Sequence, residues 1–179
     1  LTLNINDTSN KYIGPIEDSN QTLVKELVNE NMFKHSENSF SDFDYEGLIY
    51  KLLSQEGPAF ATGDINLDGL DDVFIGGAKY QKSMIYLNQG ESLVELPQEI
   101  FKNINGVDHT AASFFDSDGD GDLDLAVGFG GNEIQDEFRY TLKIYLNDGT
   151  GNFKESEFKG KSLKTNISVI KPADFDLDG

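Results

Sequence analysis

From about residue 57 onward, apolar positions fall in short runs, and the runs come in fours. "PAFATGD" (58–64), "DDVFIGG" (71–77), "SMIYLN" (83–88) and "SLVEL" (92–96) form a first set, and "HTAASFFD" (109–116), "LDLAVGF" (123–129), "TLKIYLN" (141–147) and "NFKESEF" (152–158) a second. Each run carries β-branched or aromatic residues and is bounded by Gly, Asn or Asp. Such side chains suit a pleated surface and such boundaries suit tight turns, so each run reads as a strand. "NDGTGN", Asn147 to Asn152, predicts a hairpin turn because its residues tolerate positive φ. The pattern predicts an all-β chain of four-stranded antiparallel units, the blade of a β-propeller.

The two sets are copies of one unit. "GDINLDGLDDVFIGG" from Gly63 aligns with "FDSDGDGDLDLAVGF" from Phe115, and "ADFDLDG" from Ala173 opens a third copy. The leading acids Asp64, Asp116 and Asp174 stand 52 and 58 residues apart. A second landmark follows the first two: "MIYLNQG" from Met84 and "KIYLNDG" from Lys143. Two landmarks in the same order mark a true repeat, which an ordinary β-sandwich with one acidic turn does not explain. The expected divisions are an N-terminal segment 1–56, units at 57–106 and 107–164, and the start of a further unit at 165–179. The extra length of the second unit falls near "NEIQDEF", Asn132 to Phe138, beside Tyr140, which reads equally as a binding loop on a rigid blade and as an idle, solvated insertion.

Before residue 57 the pattern is ambiguous. In "QTLVKELVNENMF" from Gln21, residues Leu23, Val24, Leu27 and Val28 fit one face of a short helix, and equally an edge strand. The segment reads as the end of a preceding domain, a linker or a degenerate blade. The chain stops within its third acidic motif, so a fragment of a longer protein is expected.

Composition narrows the partners. The 179 residues hold 32 acidic and 14 basic side chains, a formal net charge of -18, which argues against nucleic acid and anionic membrane and for cations. Absence of cysteine removes disulfides and thiolate chemistry. No apolar run approaches the roughly 18 residues of a membrane helix, and "LTLNINDTSN" lacks the basic and apolar start of an export signal.

The acidic runs supply the candidate chemistry. Counting from the first acid, one loop offers Asp64, Asn66 and Asp68 at positions 1, 3 and 5, Gly69 at 6, Leu70 at 7 and Asp72 at 9. The next offers Asp116, Asp118, Asp120, Gly121, Asp122 and Asp124. Alternate side-chain oxygens on a tight turn converge, the glycine permits the bend, and the carbonyl at position 7 adds an oxygen. An all-oxygen cage of flexible geometry suits calcium better than magnesium. An EF-hand would need a bidentate Glu at position 12, where Ile75 and Val127 stand. A third, partial set is Asp174, Asp176 and Asp178.

These residues resemble the FG-GAP/VCBS repeat family, whose blades form the integrin-α-type β-propeller. Its calcium signature maps onto Asp64, Asn66, Asp68, Gly69 and Asp72, and onto Asp116, Asp118, Asp120, Gly121 and Asp124. "IGGAK" from Ile75 and "VGFGGN" from Val127 look like its Gly-rich stretch. The segment from Phe33 to Ala78 is similar to a stretch of large VCBS-repeat surface proteins of Bacteroidetes-type bacteria. The resemblance implies Ca2+ as cofactor and an extracellular or cell-surface location. The first two sets and their flanks cannot close a ring of about seven blades, so the rest of the polypeptide or a larger assembly is an expected partner.

Nothing marks a catalytic centre. The two histidines, His35 and His109, lie in no recognisable motif, and His109 reads as a partly exposed structural residue. No metalloprotease, nucleophile-elbow, phosphate-loop or dinucleotide fingerprint occurs. The tripeptides at Asn6, Asn20 and Asn166 fit a glycosylation pattern too short to carry weight. The leading expectation is a non-enzymatic calcium-binding propeller module for protein or glycan recognition. The alternatives are a polysaccharide lyase-like enzyme with its catalytic residues elsewhere, and a structural spacer.

Overall fold

The computed structural model describes residues 32–37, 39–44, 47–50, 57–101, 106–131, 141–157 and 166–175. Most of the ambiguous segment from Gln21, the insertion Asn132 to Phe138 with Tyr140, the acids Asp176 and Asp178, and Asn6 and Asn20 lie outside them.

Eight strands form two sheets. β1 (Phe60–Gly63), β2 (Asp72–Ile75), β3 (Met84–Asn88) and β4 (Leu93–Glu95) pair antiparallel in chain order. β5 (Asp108–Phe115), β6 (Asp124–Gly130), β7 (Leu142–Leu146) and β8 (Lys154–Glu155) repeat the arrangement. All eight fall on the runs expected to be strands. Two four-stranded meanders in tandem, with only short 3-10 turns at Asp42–Asp44 and Glu99–Phe101 as helix among the described residues, make an all-β, propeller-like architecture. No helix of the described residues is long and apolar enough to cross a membrane.

Burial explains the sequence pattern. β6 is buried at all seven positions, so it reads as a nearly continuous apolar run, whereas β1 alternates between exposed and buried as a strand with one wet face should. The outermost strand β8 is two exposed charged residues, a short edge that discourages pairing with other chains.

One core spans both sheets. Phe74, Ile65 and Ile85 of the first and Leu125, Val127 and Tyr145 of the second belong to a single buried cluster. Phe101, on the connection between the sheets, lies 5.7 Å from the Phe74 ring and 5.6 Å from the Tyr145 ring, edge-on to the latter. Aromatic pairs in this geometry contribute roughly 0.5–1.5 kcal/mol each beyond their buried area.

Backbone bonds add to the junction: Ala59 N–H donates to His109 O and His109 N–H to Gly77 O, both at 3.1 Å. The approach is close enough to require glycine at 76. A Cβ there would stand 2.9 Å from the β-carbons of both Ala59 and His109.

Candidate metal centre

The two acidic loops occupy the same place in their sheets, joining β1 to β2 and β5 to β6. Their backbones curl around the first acid. In the first loop Asp64 accepts the N–H groups of Asp68 (Oδ1, 3.0 Å) and Gly69 (Oδ2, 2.8 Å). In the second, Asp116 accepts those of Gly119 (Oδ1, 2.7 Å) and Gly121 (Oδ2, 3.0 Å). The curl needs left-handed backbone at position 6, met by Gly69 (φ 87°) and Gly121 (φ 95°). Position 4 is also left-handed. There the second loop has Gly119 (φ 80°), while the first forces Leu67 to φ 60°.

Position 9 faces inward. Asp72 is fully buried, its Oδ2 accepting Ile65 N–H at 3.1 Å and its Oδ1 Asn88 N–H at 2.8 Å. Asp124 repeats both bonds, to Ser117 N–H at 2.9 Å and Asn147 N–H at 2.8 Å, and also accepts the Ser117 hydroxyl. Each of these acids therefore ties its own loop to the end of the third strand of its sheet. A carboxylate oxygen has two acceptor sites, so both remain compatible with a cation as well. Burial, opposed by the two N–H bonds, holds Asp72 above the usual carboxylate range.

The asparagines that end the "YLN" landmark complete this tie. Asn88 Nδ2 donates to Asp71 O at 3.1 Å and Asn147 Nδ2 to Leu123 O at 3.1 Å, equivalent positions of the two loops. Asn147 also donates to Ile65 O of the first sheet at 2.7 Å, while its Oδ1 accepts Gly151 N–H at 2.9 Å. The sequence flagged these asparagines only as a landmark. Their recurrence behind each acidic loop was the available sign that landmark and loop are partners.

The second loop gathers charge. Ligand oxygens of Asp116, Asp118 and Asp120 all lie within 4.8 Å of one another, and among the described residues this is the one such group of three or more acidic, histidine or cysteine side chains. Desolvation first, then the fields of Asp120 and Asp124, hold Asp118 above the usual carboxylate range. Asp122 is the extreme case. Its side chain is buried at 7% exposure, Oδ1 has no hydrogen-bond partner among the described residues, and desolvation together with the surrounding aspartates pushes its pKa up to about 6. Three converging carboxylates with a buried, unpartnered fourth nearby fit a hard cation held by oxygen.

In the first loop Asp64, Asn66, Asp68 and Leu70 also share one turn, but its charges are partly settled internally. Asn66 Nδ2 donates to Asp68 Oδ2 at 3.0 Å, a donor that Asp118 cannot supply; the Leu70 N–H bond to Asp68 Oδ1 at 2.9 Å is matched in the second loop by Asp122 N–H to Asp120 Oδ1 at 3.2 Å. Asp174 is exposed, and the rest of the third set lies outside the described residues.

The histidines stay apart from these loops. His35 pairs with Glu37 at 2.5 Å. His109 is half-buried, packs edge-on to Phe129 with centroids 4.7 Å apart, and is bonded through Nδ1 to the Ser83 hydroxyl. Ser83 is itself buried and accepts Gly77 N–H at 3.1 Å, so the Ser83–His109 contact is a structural tie between the sheets. Burial, helped by Lys143, lowers the His109 pKa to about 4 and keeps the ring neutral near pH 7.

Tandem four-stranded sheets with an acidic loop between their first two strands define a propeller-like repeat module. Residues 64–127 match the family model for the FG-GAP-like repeat, a stretch that opens at the first acid of one loop and runs through the whole of the next. The match supports the FG-GAP family for this part of the chain. No curated protein matches the chain.

Proposed function

We propose that this chain is a non-catalytic, calcium-stabilised propeller module of an exported or cell-surface protein, presenting its loops for protein or glycan recognition. The observation that carries the calcium reading is the convergence of Asp116, Asp118 and Asp120 within 4.8 Å, beside the buried, unpartnered Asp122 oxygen. Bound calcium supplies positive charge and several oxygen-coordination sites in flexible geometry.

The protein's own residues do the rest. Asp116 and Asp64 hold the turns closed through backbone N–H groups, and in the second loop the acids at positions 3 and 5, Asp118 and Asp120, converge with Asp116. Asp124 and Asp72 anchor those turns to β7 and β3, so an ion in a loop stiffens the joint between neighbouring strands. Cation binding that requires the folded loop adds to folding free energy by mass action. Millimolar calcium outside cells would fill even sites with dissociation constants near 10⁻⁴ M, and cytosolic calcium would not, which favours an extracellular setting.

The non-enzymatic part of the proposal draws on the family match, since repeats of this kind are generally non-catalytic modules. The external location draws on the resemblance to VCBS-repeat surface proteins. Thermal unfolding with calcium and then with a chelator tests the metal. Chelation should lower the melting temperature by several degrees, of the order of 1–3 kcal/mol. Asp116→Ala should remove most of that difference and Asp68→Ala a smaller part. Identical melting under both conditions would overturn the calcium reading.

A further inference from the structure

Far from the acidic loops the second sheet borders a cavity of about 380 Å³. It opens where β5 begins and β6 ends, at Asp108 and Gly130, which are paired in register; the acidic loop joins the opposite ends, at Phe115 and Asp124. The seven-residue rise of β5 sets the two sites roughly 20 Å apart.

The chemistry of the wall is mixed. Glu37 and Asp108 bring carboxylates, Asn166 and Ser168 bring polar side chains, and the Thr110 hydroxyl, which donates to Ile167 O, is left as an acceptor. Glu37 is pre-set: Oε1 holds His35 Nε2 at 2.5 Å, and among the described residues its other oxygen has no hydrogen bond. Asp108 is likewise fixed, accepting Lys79 N–H at 2.5 Å.

Four of the described lining residues are glycines, beside His35 and His109. Gly57, Gly77, Gly130 and Gly131 all line it, and at Gly57 a Cβ would meet nothing within 4 Å. Ala78 and Ile167 supply a small apolar face.

Three consequences follow for an occupant. The volume lies in the range of small-ligand sites and suits one sugar ring better than a folded partner. Two carboxylates, with no lysine or arginine among the described lining residues, disfavour anions. Open backbone at Gly57 and the apolar Ala78 and Ile167, beside polar groups of Glu37, Asp108, Asn166 and Ser168, suit a ring with C–H faces and several hydroxyls, each both donor and acceptor.

We infer that this cavity binds a single neutral saccharide unit, a hexose or N-acetylhexosamine, and rejects uronic acids. The inference rests on the recognition part of the proposed function and not on its calcium part.

Saturation-transfer NMR on the whole 179-residue chain, with neutral hexoses, N-acetylhexosamines and uronic acids as separate probes, tests it. At least one neutral sugar should bind, and every uronic acid should bind at least tenfold more weakly. Ser168→Phe, which fills the cavity from an exposed position, and Glu37→Gln, which removes a fixed acceptor, should each weaken the neutral sugar at least tenfold with circular dichroism unchanged. Binding should persist in chelator at a temperature where the protein remains folded.

Failure of every neutral sugar to bind, preference for a uronic acid or a basic peptide, or binding indifferent to Ser168→Phe would overturn the inference. Sugar binding without any calcium effect on melting would sink the calcium reading alone. A calcium effect without sugar binding would sink this inference alone.

Discussion

In the loop after β1, position 3 is Asn66, whose amide donates to Asp68 at 3.0 Å; in the loop after β5 the same position is Asp118, which has no such donor to offer. At position 7 the first loop has Leu70, 37% exposed, and the second has Asp122, buried with an unpartnered oxygen. Between positions 1 and 9 the first loop carries four acids and the second five. The backbone course is shared, down to the first acid gripping N–H groups and the ninth gripping the third strand. The same scaffold thus holds one loop with an amide donor at position 3 and another with a fifth acid and no such donor. Dependence on metal should be concentrated in the second.

The tie between loop and third strand differs as well, and the largest effect is expected there. Asn147→Ala removes buried donors to Ile65 O and Leu123 O and an acceptor for Gly151 N–H, and should cost about 3 kcal/mol. Asn88→Ala, at a half-buried site with one side-chain bond back to its loop, should cost about 1 kcal/mol. Urea unfolding measures both, and equal losses would erase the distinction between the sheets.

Next in size is a pH effect confined to the second sheet, which has His109 where the first has Gly57. The unfolded imidazole takes up its proton near pH 6.5, the folded one only near pH 4. Between those values the unfolded state holds more protons, so stability is full above the higher pKa and falls as pH drops through this window. The loss should approach about 2–3 kcal/mol by pH 4. His109→Gln should lack this component while keeping whatever the carboxylates contribute. Stability curves for the two proteins that run parallel from pH 7 to 4 would contradict it.

Exchanging position 3 gives a smaller change of opposite sign in the two loops. Without metal, Asp118→Asn should raise the melting temperature by about 2–4 °C and Asn66→Asp should lower it, with calcorimetric calcium affinity moving about tenfold the other way in each case. The smallest effect is at position 4. Leu67→Gly relieves a left-handed leucine that is 62% exposed, and should stabilise by less than about 1 kcal/mol, because glycine's greater freedom in the unfolded chain offsets part of the gain. A loss of stability there would mean that Leu67 makes contacts worth more than its strain.

The strands were legible in the sequence because their signals are local. β-branched and aromatic runs punctuated by Gly, Asn and Asp placed all eight. The acidic loops were legible for the same reason, since the spacing of Asp116, Asp118 and Asp120 is itself the geometry of the turn. What escaped was everything that depends on distant partners. Asp72 and Asp124 looked like loop acids, and their bonds to Asn88 and Asn147 join residues 16 and 23 positions apart. His109 read as a partly exposed structural residue and is half-buried, but its ties to Gly77 and Ser83 across the junction are reported by no periodicity. The cavity beside it is assembled from segments between residues 35 and 168, and no single stretch announces it.

The reach of Asn147 back to the carbonyl of Ile65 has a bearing on how such arrays grow. The latch for one unit is carried by its successor, so tandem duplication delivers each newcomer together with the fastener for the unit it lands on. Only the last member of a row would then stay unfastened, which makes lengthening the array structurally cheap and places its weakest seam at the growing end.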